Sequence, residues 1–129
     1  MRLNPDCIRD ILISVEQNTN YNEHLLYPQE LKKCPALTSY KDDEIRYHIK
    51  QCLLANLIIG VTEDLAGNIR IKDLTPTGHE FLANIRSDTV WNKTKNIAAK
   101  IGSFSLNALK DIAVGVISEI IKSELNQSN

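Results

Sequence analysis

The sequence predicts a mainly α fold: a winged helix-turn-helix with a two-stranded wing, followed by a C-terminal helical extension. Three observations carry that expectation. Between Asp42 and Ala55 the apolar residues Ile45, Ile49, Cys52 and Leu53 recur at i, i+4, i+7 and i+8, the core stripe of an amphipathic helix. Leu57-Ile58-Ile59-Gly60-Val61 and Ile69-Arg70-Ile71-Lys72 then read as two strands around a turn-rich segment containing Gly67-Asn68. Thr75-Pro76 opens another helix directly afterwards. Helix, wing, helix is the back half of a winged helix-turn-helix.

The elements follow in order. Asn4-Pro5-Asp6 starts a helix, with Asn as N-cap, Pro preset at the first helical position and an acid at the positive end of the dipole. It should reach about Gln17, burying Ile8, Ile11, Leu12 and Val15 and leaving Ser14 among the wet residues. A short second helix is expected over about Pro28 to Lys33, closed by Pro35, with Ser39 and Asp42 in a capping-box relation ahead of the third helix. In the wing, Ile69 and Ile71 alternate with Arg70 and Lys72, which therefore face water. The tip, Glu63 to Asn68, carries two acids and no base. A fourth helix, about Pro76 to Arg86, should bury Phe81, Leu82 and Ile85 under a Thr75 cap.

Residues 1–87 thus make the winged domain, and residues 88–129 the extension. Thr89 to Ile101 has helical spacing and ends at Gly102. From Ser103 or Ser105 to about Leu125 a last helix carries a wide apolar band. Leu106, Leu109, Ala113, Val116, Ile117 and Ile120 lie at three- and four-residue steps, close to a coiled-coil seam, with Ile112 and Ile121 widening it. Burying about five such side chains is worth on the order of 10 kcal/mol before entropy is counted, so the band is expected either to pack back on the winged domain or to pair with a second copy, and the homodimer interface is the favoured reading. Asn126 to Asn129 reads as a polar tail.

Composition narrows the function. The 129 residues are 43% hydrophobic and carry a net charge of −1, enough apolar material for one core but no polycation to neutralise phosphates. Cys7, Cys34 and Cys52 are odd in number and widely spaced, as expected of reduced core thiols in a cytoplasmic protein. No apolar run approaches the roughly 18 residues that span a bilayer, so no membrane partner is expected. With no C-x2-C or H-x3-5-H pair, no metal is expected. With no nucleophile elbow and no Gly-rich phosphate loop, neither a cofactor nor an enzyme is expected. His48, four residues after Glu44, reads as one half of a surface ion pair.

Leu3-Asn4-Pro5-Asp6-Cys7-Ile8-Arg9-Asp10-Ile11-Leu12, Ile45-Arg46-Tyr47-His48-Ile49, and above all Leu74-Thr75-Pro76-Thr77-Gly78-His79-Glu80-Phe81-Leu82, followed by Trp91-Asn92-Lys93-Thr94-Lys95, resemble a family of unknown function. Its members are small proteins encoded by bacteriophages, prophages and their hosts. The resemblance runs over nearly the whole chain and implies a winged-helix fold. It implies no activity and no site residues.

Two partners are therefore carried forward. Double-stranded DNA would meet the outer face of the third helix and the wing strand, through Arg46, Tyr47, Lys50, Gln51, Arg70 and Lys72. Against it stand Asp42, Asp43 and Glu44 at the helix end that usually meets base edges, although Asp42 is also spaced to pair with Arg46. A host or phage protein is the alternative, gripped by the acidic end of that helix and by the apolar last helix.

Overall fold

The computed structural model describes residues 1–127; the last two residues of the expected tail, Ser128 and Asn129, lie outside it. The described chain is mainly helical, with small antiparallel sheets, and divides into two compact units whose boundary falls between His79 and Glu80. That boundary lies inside a helix.

In the first unit, α1 (Pro5–Asn18) begins as its sequence dictates, the Asn4 side chain accepting the Asp6 N–H. Its buried face is the expected one with two additions, Cys7 and Ser14. Ser14 is small enough to enter the core because its hydroxyl donates to the Asp10 carbonyl at 2.7 Å, leaving no unpaired polar group. The predicted second helix is absent. In its place Leu25–Tyr27 forms β1, a cis peptide bond joins Tyr27 to Pro28, and two single 3-10 turns follow at Leu31–Lys33 and Pro35–Leu37. Pro28 and Pro35 supply no N–H, and the Glu30 carboxylate takes the Leu26 N–H at 2.8 Å, so the segment closes as short turns.

Helix α2 (Asp42–Leu54) starts after Lys41 without a side-chain cap, so Ser39 and Asp42 make no capping box. Its core face is Ile45, His48, Ile49 and Cys52, while Leu53 is 39% exposed. The wing is longer than the pattern suggested. β2 (Ile58–Ile59) pairs with β5 (Asp73–Leu74), and β3 (Thr62–Glu63) pairs with β4 (Ile69–Ile71) in the same register. The ladder breaks at Gly60, where φ is +68° and Lys72 lies directly opposite, its Cβ 2.5 Å from where a Cβ on residue 60 would stand. β4 also pairs with β1, giving the order β1-β4-β3, with Ile69 and Ile71 buried and Arg70 exposed.

Helix α3 (Pro76–Ile85) opens on Thr75, whose hydroxyl oxygen accepts the Gly78 N–H at 2.9 Å and whose hydroxyl donates to the Asn56 carbonyl. The second unit takes over within this helix at Glu80 and continues through α4 (Asp88–Ile101) and α5 (Leu106–Gln127). Ser87 caps α4 through the Val90 N–H, and Gly102 in the left-handed region ends it. Phe81, Leu82, Ile85, Trp91 and Ala98 are buried, and α4 and α5 pack on each other. α5 runs two residues further than expected, taking Asn126 and Gln127 into the helix. No helix among the described residues is long and apolar enough to cross a membrane.

Candidate functional site

The expected nucleic-acid residues do not share one surface. Arg46, Tyr47 and Lys50 come together along a groove between α2 and the wing, completed by Ile49, Leu53, Val61, Glu63 and Ile69, with a volume of about 470 Å³. Gln51 is half-buried and does not line it. Arg70 leaves β4 on the face opposite Ile69, between Leu26 and Thr62, and lines a separate polar depression of about 430 Å³ with Asn18, His24, Glu30 and Lys33. Lys72 lies over Gly60.

Within the groove, Arg46 is already held. Its Nε donates to both Asp42 carboxylate oxygens at 2.9 and 3.0 Å, one Nη donates to the Gly67 carbonyl at 2.6 Å, and Glu63 stands 3.6 Å away. The guanidinium also lies 5.3 Å from the centre of the Tyr27 ring. The i, i+4 pair with Asp42 is thus present, and beyond it Arg46 ties α2 to the wing tip. Tyr27 donates its hydroxyl to Asp42, and this bond, then Arg46, hold the Asp42 carboxyl below the usual carboxylate range. Asp64 shapes the tip by accepting the Ala66 and Asn68 N–H groups, and those bonds keep its carboxyl low as well.

The rest of the groove is apolar. Ile49 and Ile69 are buried within it, and Leu53 is partly open. Chemically the groove offers a hydrophobic slot whose charged lining is one carboxylate, Glu63, the held Arg46 and one lysine, Lys50.

His48 belongs to no surface. It is fully buried; its Nε2 accepts the Asn4 N–H at 2.8 Å and its Nδ1 therefore carries the proton given to the Glu44 carbonyl at 2.7 Å. The ion pair expected with Glu44 is replaced by a backbone bridge from the start of α1 to α2. The spacing Ile45, His48, Ile49, Cys52 already marks a complete core face; only the polarity of histidine hid it.

Of the six residues expected at a dimer seam, Leu109, Ala113 and Val116 are buried within one chain, and Leu106, Ile117 and Ile120 are half-buried. The strongly exposed apolar residues of α5 are Val114, Ile121 and Leu125, a stripe roughly a third of a turn away. Among the described residues no three His, Cys, Asp or Glu side chains cluster as metal ligands.

No solved structure matches this chain. A protein of Haemophilus influenzae, described only as uncharacterized, is 33% identical over 124 residues, covering 94% of this chain and 99% of its own. The model of a family of hypothetical proteins, DUF2513, matches residues 2–105, and it is to the DUF2513 family that this chain belongs.

Proposed function

We propose that residues 1–79 are a winged-helix interaction module that takes a protein partner in the groove between α2 and the wing, in a protein of the phage- and prophage-associated kind its motifs resemble. The element order α1, β1, two short turns, α2, then a hairpin pairing back on β1 supports the winged-helix reading. One observation carries the choice of partner. The arginine best placed to read DNA is bound by Asp42, Glu63 and the Gly67 carbonyl, and the surface beside it is apolar. Phosphate approaching that end meets carboxylates, whereas protein interfaces are enriched in aromatic residues such as tyrosine.

The DNA reading has its own support in Lys50, Arg70 and Lys72, all exposed. They lie along different faces, so a duplex would contact few of them at once. Anisotropy with duplex DNA at low salt separates the readings. We expect weak binding that is unchanged by a Lys50→Ala/Lys72→Ala pair. A photo-crosslinker at Tyr47, used in nuclease-treated cell lysate, should give protein adducts that disappear in a Leu53→Asp background. Tight duplex binding lost with the lysine pair would reverse the assignment.

A further inference from the structure

We infer, resting on the reading of the groove as a protein-binding site, that its occupant is an extended polypeptide segment that joins β3 as a further strand and lays alternate side chains against α2. The register of the wing fixes which backbone groups are open. Opposed residues of an antiparallel pair alternate between those that exchange main-chain hydrogen bonds and those that do not. The Asp64 N–H donates to the Asn68 carbonyl at 3.0 Å, and the next opposed pairs along the ladder are Glu63 with Ile69 and Thr62 with Arg70. Thr62 and Arg70 therefore bond each other, and the N–H and C=O of Glu63 point away from β4, out of the edge of the sheet. Among the described residues no strand pairs with β3 on that side and no hydrogen bond closes the Glu63 backbone.

The opposite edge of the sheet is closed. Because Arg70 uses its main-chain groups on Thr62, Leu26 in β1 turns its own outward, and Glu30 takes both. The Glu30 carboxylate accepts the Leu26 N–H and the Glu30 N–H donates to the Leu26 carbonyl, each at 2.8 Å. One edge of β1-β4-β3 is thus sealed from within the chain, while the edge beside the groove is open. An open edge is a template for a further strand.

The groove lies where the side chains of such a strand would go. Alternation puts Val61 and Glu63 on the Ile69 side of the sheet, toward α2, and Thr62 with Arg70 on the other. A strand about 4.8 Å beyond β3 places every second side chain between β3 and the Tyr47, Lys50 and Leu53 of α2, in the volume of about 470 Å³. Most of that lining is apolar, with Ile49 and Ile69 buried within it. A helical occupant would fill the same volume but leave the Glu63 groups unpaired, whereas an extended one uses both. With Lys50 and Glu63 opposite in sign and Arg46 already held, the lining selects backbone shape rather than charge. β3 is only two residues long, so its edge supplies few main-chain bonds, and binding depends on the apolar contacts as well.

The test is to pan a random displayed-peptide library against the immobilised, nuclease-treated full chain, then to measure individual enriched peptides by anisotropy. Enriched sequences should carry apolar residues at alternate positions and should lose binding in Leu53→Asp. Glu63→Pro removes the outward N–H without touching a ladder bond, so the chain should keep its circular dichroism. Its peptide affinity should fall about tenfold below that of Glu63→Ala, which loses the same side chain but keeps the N–H. Two measurements need no variant of the protein: N-methylation of one bonding amide of the peptide should cost a similar factor, and amide hydrogen exchange at Glu63 should slow in the complex. Peptides that need Leu53 but tolerate N-methylation at every position, and leave Glu63 exchange unchanged, would overturn the added strand while leaving the groove a protein site. If no peptide is enriched, the extended occupant is overturned. If peptides are enriched but none depends on Leu53, the groove reading itself fails along with it.

Discussion

A Cβ placed on Gly78 would stand 2.0 Å from the carbonyl oxygen of Leu57. The first turn of α3 is thus pressed onto the backbone that leaves α2, and the Thr75 N–H donates to the same carbonyl at 3.0 Å. In Leu74-Thr75-Pro76-Thr77-Gly78, Thr75 caps, Pro76 starts the helix, and Gly78 permits the approach. Gly78→Ala, harmless to an isolated helix, is expected to destabilise the protein by about 1–3 kcal/mol, read as a lower urea midpoint. A midpoint equal to wild type would mean that α3 does not sit this close.

His48 predicts a second result. Replacing it with Ala removes two hydrogen bonds and leaves a void between α1 and α2, at a cost of about 2–4 kcal/mol. His48→Phe refills the volume but strands the Asn4 N–H, so it should recover part of the loss in a thermal melt. Full recovery would show that the bridge contributes nothing.

Acid should loosen the tie between α2 and the wing. The Asp42 carboxyl is depressed first by the Tyr27 hydroxyl and then by Arg46, so its contribution is complete above the ordinary aspartate value of about 4 and is lost as pH falls through the lower folded value. Asp42 is well exposed and screened, so the effect is small. It should show as a difference between acid-unfolding curves of wild type and Tyr27→Phe, the variant losing less on acidification. Superimposable changes in the two would discount the contact.

The three thiols give a fourth expectation. Cys7, Cys34 and Cys52 are 0–2% exposed, and burial raises each, Cys7 to about 12 with help from Glu44 and Asp10. A native sample at pH 8 should resist a thiol reagent that labels all three in urea. The neutral thiols stabilise the fold below their ordinary value of about 8.5, and this contribution declines as pH rises toward 12. Rapid native labelling would contradict the packing of α1 on α2.

On α5 two substitutions should part company. Val116→Asp puts a charge into the buried contact with α4 and should unfold the second unit, whereas Ile121→Asp, at a 52% exposed position, should leave helicity intact. Light scattering on both decides the assembly question: if copies of this chain associate through the free stripe of α5, Ile121→Asp lowers the mass without lowering circular dichroism.

Helices α1, α2, α4 and α5 were readable because their apolar residues repeat at helical spacing and their ends carry Asn4, Ser87 and Gly102. β1 was not, since three residues show no period and its partner lies more than forty positions away. Proximity was the missing quantity at the site as well. The sequence offers Arg46 an acid at i−4, but the Gly67 carbonyl and Glu63 reach it only through the hairpin. The same lack of distance made Leu53 a core residue and His48 a surface one, when burial reverses them.

β4 has a further consequence, for biosynthesis. Leu25–Tyr27 has no strand to pair with until Ile69–Ile71 exists, and Leu57 waits for Thr75 and Gly78. A nascent chain must therefore have most of its first unit outside the ribosome before that sheet can close. Any truncation that stops at Asn56 removes the wing and, with it, the strand on which β1 pairs among the described residues.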